Sequence, residues 1–395
     1  MLDKKDWRDF FAVSLSIAIV GIGLGCTLPL TALVLTSRGF GPNVVGWMIA
    51  AAALGGVVGT FVTPAVVGRF GRRSTMIACF VVGTASIMPL QFTASLELWM
   101  LLRFLFGLSM AALFLIGEAW INILPGEAVR GRIVAIYTTS FTAFQVAGPL
   151  FTDWLSGFPH SSFLICGALF LLGVPGMMFA SDDHKLGRAR SGPDEVSGKA
   201  VAGQSSWLDI VGRAPVIIAG TAFFASFECI ILGFLPLFAI DSGFSQSRAL
   251  AAPAIVLAGD ATLQYAAGWL SDHYGRERVH RLFGLMVCVM LPLLPLVVHV
   301  PGVWEIYLFV LGGFAGAVYT LSMVASGTIF SGSALLRISG LIGLTWNISS
   351  SAGPAATGLL MQRFGSGAMV AVLWCLALVF LISSSRSSGR VPASQ

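Results

Sequence analysis

Three carboxylates and one guanidinium sit inside long apolar stretches of this 395-residue chain: Glu118, Glu228, Asp260 and Arg103. A charge at the centre of a bilayer costs about 2.5–3.5 kcal/mol on insertion scales, so each of these positions invites a functional reading. Removal from water favours the neutral form of a carboxyl, and a carboxyl so placed can take up and release a proton near neutral pH. Glu118 stands beside Trp120 and Asn122 in the segment Gly117-Glu118-Ala119-Trp120-Ile121-Asn122. Glu118 and Asn122 are four residues apart and share a helix face. Arg103 is available as a counter-charge. Each residue also has a structural alternative. Glu118 could be a neutral or ion-paired carboxyl near the helix ends. Glu228 and Asp260 could pair with each other, and Arg103 could snorkel outward.

Tyr137, Gln145, Gln264, Tyr265, Tyr319, Trp346 and Asn347 are the aromatic and amide side chains within the same stretches. Singly, each suits helix packing. Together with apolar neighbours they suit a cavity for a small, partly hydrophobic organic solute. Other chemistries lack their motifs. There is no G-x-x-x-x-G-K-[ST] and no H-E-x-x-H, and the five histidines are scattered, so neither ATP-driven pumping nor metalloprotease chemistry is expected. The six cysteines fall in apolar stretches without a C-x-x-C pair, which predicts neither a metal nor a redox cofactor.

The elements that position these residues follow from composition. Hydrophobic residues make up 56% of the chain and charged residues 10%, against about 25% in soluble domains. The mean hydropathy is +0.87. A spanning helix needs about 20 apolar residues. Twelve runs qualify, at about 10–35, 45–67, 74–93, 98–121, 131–154, 161–180, 214–239, 248–270, 281–299, 303–327, 336–361 and 367–384. The first is too long for a signal h-region of about 7–15 residues and is read as a retained helix. The fifth and eleventh carry several Ser, Thr, Gly and Gln residues, as helices lining a polar cavity would. Residues 1–180 and 214–395 are expected to form two six-helix bundles, joined by a polar linker at 181–213.

The two halves repeat. Arg69-Phe70-Gly71-Arg72-Arg73 ends one run, and Gly268-Trp269-Leu270-Ser271-Asp272-His273-Tyr274-Gly275-Arg276-Glu277-Arg278 ends another, with Gly71 and Gly275 separated by 204 residues. Gly39-Phe40 and Gly243-Phe244 keep that offset. A period this long marks a duplicated half, an arrangement that places a transporter's substrate site between the repeats. Pro29 and Pro236 occupy matching places. Gly55-x-x-x-Gly59 and Gly312-x-x-x-Gly316 permit close helix crossings. Gly21, Gly23 and Gly25 either pack closely or let the first helix bend. Of the 23 Lys and Arg residues, all but Arg38, Arg103, Arg248 and Arg363 fall on the side that carries both termini. That asymmetry predicts cytoplasmic termini and linker. It also accounts for the net charge of +5 without a nucleic-acid partner.

The segment from Gly268 through Leu270, Asp272, Gly275 and Arg276 to Arg278 resembles the signature of the major facilitator superfamily, G-x-L-x-D-R-x-G-R-R/K. The first copy keeps Arg69, Gly71, Arg72 and Arg73, with Pro64 for the leading Gly and Gly68 for the Asp. Arg103-x-x-x-Gly107 resembles the family's R-x-x-x-G motif. Ala147-Gly148-Pro149 resembles the core of its antiporter motif, though Thr152-Asp153 stands where Gly-Gly is expected. The resemblance implies an all-α membrane protein with twelve transmembrane helices in two pseudo-symmetric bundles. It implies a monomeric, multi-pass protein of the bacterial inner membrane, without cofactor or enzymatic activity. Its work would be to move a small organic solute by alternating access, coupled to protons, with efflux favoured. In the family the loop acid latches the cytoplasmic ends of the bundles together in the outward-facing state. By pseudo-symmetry Asp272 should then face Arg130 and Gly131, a contact Gly68 cannot reproduce; otherwise these arginines only set topology. A uniporter and a non-transporting sensor or scaffold are the alternatives, and buried acids in both halves favour transport.

Overall fold

The computed structural model describes residues 4–123, 127–180, 212, 215–300, 302–330 and 332–387, and every regular element among them is helical. The first set is α1 (Lys4–Ser37), α2 (Pro42–Phe70), α3 (Arg72–Ile87), α4 (Leu96–Ile123), α5 (Glu127–Ser156), and α6 (Ser162–Leu171) with its continuation α7 (Gly173–Phe179). The second is α8 (Pro215–Asp241), α9 (Gln246–Tyr274), α10 (Arg276–Val297), α11 (Val303–Ile329), α12 (Gly332–Phe364) and α13 (Ala368–Ser387). With α6 and α7 taken as one crossing, each set has the six expected. Among the described residues, ten crossings are long and apolar enough to span a membrane, and α5 and α12 are not among them. These two carry the polar residues noted above. The expected linker at 181–213 lies outside the described residues, Gly212 excepted.

The duplication survives in the backbone. Gly39 and Gly243 turn with φ of 85° and 92°, and Gly71 and Gly275 with φ of 83° and 88°. Only glycine adopts such angles without strain. Gly71 thereby ends α2, its N–H bonded to the Val67 carbonyl at 2.9 Å, and Gly275 ends α9 on the Ser271 carbonyl at 3.1 Å.

Glycine seams weld helix pairs. A Cβ at Gly55 would collide with the Phe104 carbonyl oxygen, and one at Gly259 with that of Phe309. Gly107 lies against the Ala52 carbonyl and Gly312 against that of Val256. The α2–α4 crossing is thus repeated by α9–α11 at nearly the same residue offset. Such contacts exclude even a methyl group and let backbones approach closely, which is how helices associate where lipid supplies no hydrophobic drive. Gly21 and Gly25 press against the Phe141 and Gln145 carbonyls of α5, and Gly148 answers against Gly25. Close packing is therefore the use of these α1 glycines, and α1 runs unbroken through Pro29. Between the seams, fully buried Phe80, Phe106, Phe163 and Phe170 fill one half, and Phe223, Phe227, Phe234 and Phe380 the other.

Candidate substrate and proton site between the halves

The halves meet along two pseudo-symmetric lines, α2 with α12 and α5 with α9, and α1 also touches α8. On the first line Gly41 lies against Gln362, Gly358 against the Pro42 carbonyl, Gly46 against the Pro354 carbonyl, and Gly56 against the Asn347 side chain. Ser351 donates to the Ala50 carbonyl at 3.3 Å. On the second line Ser247 donates to the Asp153 carboxylate. These contacts run from the end bearing Gly39 and Gly243 to mid-depth. Beyond them, a Cβ at Gly68, Gly268, Gly340 or Gly343 would meet open space, and Tyr265 on α9 is 85% exposed. Among the described residues, the cleft is closed at the Gly39 end and open towards Gly71 and Gly275.

At the closed end of the cleft Gln145 of α5 donates its side-chain amide to the Glu228 carboxylate of α8, across the two halves. Gln264 of α9 donates to the Asp260 carboxylate one turn away, at 2.8 Å. Asp260 fills the space left by Gly316, where a Cβ would overlap the carboxylate. The expected alternative of a Glu228–Asp260 pair is corrected here: the two lie within electrostatic reach of one another, but each bonds a glutamine. The reason is positional. Gln145 and Gln264 each place a neutral donor against a carboxylate, which satisfies it without a second acid.

Tyr319 of α11 lies within electrostatic reach of Glu228, Glu118 and Asp260 together. Its ring stacks on Phe224 at 5.3 Å and meets Trp346 edge-on at 5.0 Å. Phe224 precedes Glu228 by one helical turn and shares its face. The sequence offered no reason to single out Phe224 among 29 phenylalanines. Glu118 is exposed to the cleft on α4. Tyr137 is buried beside Gly117, within reach of the Glu118 charge. The Asn122 side chain lies outside the described residues. Trp120 is buried under the Arg72 guanidinium, 5.6 Å from its ring, and faces away from Glu118. Asn347 donates to the Gly343 carbonyl at 2.9 Å.

Arg103 does not snorkel. It is 1% exposed, and its Nε and Nη1 are unbonded. Its guanidinium lies 5.3 Å from the Phe106 ring and near Cys166 and Cys229. Gly107, four residues on, is the glycine of the α2–α4 seam. The R-x-x-x-G spacing therefore buries a cation one turn from a helix crossing.

At the open end, Arg69 covers the Phe70 ring and Arg73 donates to the Met178 carbonyl at 2.6 Å. Asp272 is exposed and pairs with Arg276 at 3.7 Å. Arg278 is exposed. The expected partner at Arg130 and Gly131 lies outside the described side chains.

Comparison with known proteins agrees with this architecture. The family model of the Major Facilitator Superfamily matches residues 13–304 and, in an overlapping second match, 251–392. The chain belongs to that superfamily of membrane transporters. Among curated relatives, an uncharacterized MFS-type transporter of Bacillus subtilis (strain 168), YfkF, is 23% identical over 363 residues, covering 90% of each chain. One from Yersinia pseudotuberculosis serotype O:3 (strain YPIII) is 25% identical over 340 residues, covering 86% of this chain and 85% of its own. Among solved structures, a D-xylose–proton symporter superposes with a TM-score of 0.74 at 16% identity, over 97% of this chain and 98% of its own. The nucleoside transporter NupG gives 0.74 at 12% identity, over 98% and 99%. At such identities the structures share the fold alone.

Proposed function

We propose that this transporter moves a small organic solute across the bacterial inner membrane by alternating access, with proton movement through the buried carboxylates as its coupling. One observation carries the reading: the Gln145–Glu228 hydrogen bond joins the two halves at the closed end of the cleft. A proton on Glu228 removes a charged acceptor from that bond, and charge-assisted hydrogen bonds are roughly twice as strong as neutral ones. Protonation there acts directly on the strength with which the halves are joined, and this is the differential interaction that coupling needs. Asp260, on Gln264, supplies a second site in the same half, and Glu118 lines the cleft from the other. The basic asymmetry puts the Gly71 and Gly275 end in the cytoplasm. In that orientation the cleft is inward-open. Efflux is the direction supported by Ala147-Gly148-Pro149, whose glycine lies on the α1–α5 seam.

The test is solute flux in proteoliposomes with and without a pH gradient. Glu228→Gln, Asp260→Asn and Glu118→Gln keep shape and remove titration. At least one should lower gradient-driven accumulation tenfold or more while solute exchange persists. Normal pH-dependent accumulation in all three would reject the carboxylates as proton carriers.

A further inference from the structure

The foot of α10 carries three arginines, and they are not alike. Arg276 pairs with Asp272 at 3.7 Å. Among the described residues no ion pair holds Arg278 or Arg281, although Glu277 lies one helical turn before Arg281. Arg278 and Arg281 stand three residues apart, so they are neighbours on one helix face, with Cβ atoms about 5–6 Å apart. The stripe continues towards the bilayer as Leu282 and Leu285, which are 49% and 44% exposed. Leu381 of α13 joins them, and the five side chains line an open groove of about 400 Å³. α10 packs on α13, α11 and α9, and α13 packs on α10, α8 and α12, all helices of the same half. Both α10 and α13 are long and apolar enough to span a membrane. The groove thus lies on the outer side of the second half, where that half meets lipid, and is separate from the cleft between the halves.

Two guanidiniums above bare leucines match one kind of molecule from both ends. A guanidinium presents a fork of N–H donors that fits the oxygens of a phosphate. Exposed leucines in a spanning helix fit an acyl chain. An arginine that only snorkels keeps its head in water and needs no groove beneath it. A free anion would use the arginines and leave the leucines uncovered. A zwitterionic headgroup brings an ammonium that calls for an acid, whereas the acid at this end, Asp272, is held by Arg276. We infer that this groove binds an anionic phospholipid, with its phosphodiester across Arg278 and Arg281 and an acyl chain along Leu282, Leu285 and Leu381. The lipid comes from the leaflet that meets the Gly275 end, where basic residues between spanning helices attract anionic headgroups. The inference goes beyond the transport reading and stands without it.

The test is native mass spectrometry of the purified full-length chain, titrated in detergent with phosphatidylglycerol, phosphatidylethanolamine or phosphatidylcholine. Phosphatidylglycerol should occupy a saturable site at about tenfold lower concentration than either zwitterionic lipid. The double variant Arg278→Gln with Arg281→Gln should weaken phosphatidylglycerol about tenfold or more, the scale of two arginines near a charged surface, and leave phosphatidylcholine unchanged. Replacing both by Lys should recover part of the loss, since the charge returns without the fork. Arg363→Gln, which removes an exposed cation from the end of α12, should change nothing. If the double variant is not monodisperse, each single Gln variant should weaken phosphatidylglycerol about threefold. Equal affinity for phosphatidylglycerol and phosphatidylcholine overturns the inference. So does unchanged affinity in the Gln variants, or loss of the preference in Arg363→Gln as well. Displacement of the lipid by inorganic phosphate at comparable concentration would make the site one for a free anion, and overturns it too. Solute flux is no readout here, so failure of the lipid site and failure of the transport reading are separate results.

Discussion

Arg103 is the residue whose environment departs furthest from its chemistry. A buried guanidinium with two unbonded nitrogens loses hydration without recovering hydrogen bonds, at a cost of several kcal/mol. Arg103→Met should therefore leave the melting temperature unchanged or raise it by a few degrees, while lowering transport tenfold or more. A fall of more than about five degrees would make Arg103 a structural brace instead. The sequence located this residue but not its surroundings, because hydropathy reports depth along a helix and not the face a side chain takes. The same blindness covers Phe224, hidden among like residues. It covers the glutamines too: Gln145 and Glu228 are 83 residues apart in sequence and meet only through tertiary packing. Glu118, Tyr319 and Trp346 were legible as polar or aromatic groups in apolar runs. Trp120 neighbours Glu118 in sequence, yet a separation of two residues points them to different sides of the helix.

Helices were the most legible elements, since lipid demands some twenty apolar residues and forbids open backbone. Paired glycines mark the crossings in the sequence itself. Gly55→Leu and Gly259→Leu should each cut the yield of monodisperse protein severely, because the obstructing atom is a backbone carbonyl and overpacking costs about 1–3 kcal/mol even where side chains can yield. Gly340→Ala, with open space at its Cβ, should be tolerated; size-exclusion profiles distinguish these outcomes. The two loop copies should also differ. Among the described residues, the ion pair of Asp272 is local, to Arg276. If it latches the ends of the helices when the cleft closes there, Asp272→Asn should shift the population further towards the open form. Distances between spin labels on the Gly71-side ends of α5 and α9 should lengthen on average. An unchanged distribution would reduce the motif to a topology signal.

The state of the whole molecule was not legible at all. Hydropathy and the repeated motifs point to twelve crossings and a duplication, but one sequence encodes both ends of a transport cycle, and nothing in it says which lies lower in free energy. The direction across the membrane was read from basic residues and is testable. In a background without the six native cysteines, Gly157→Cys and Gly302→Cys should react with a membrane-impermeant thiol reagent added outside intact cells. Gly192→Cys should not, and the reverse labelling would invert the orientation.

The room that Gly316 leaves for Asp260 has a mechanical consequence. Because that carboxylate is seated in α11 as much as in α9, and Gly259 and Gly312 lock the same two helices, α9 cannot shift without carrying α11. Tyr319, Asp260 and Gln264 must then travel as one plate. Gln145 and Glu118 belong to the opposite body. A solute held between them sits on a fracture plane, and each turnover parts its binding surface along that plane rather than reshaping it. A substituent that grips only the plate would ride with it, and one that spans the plane would resist the stroke.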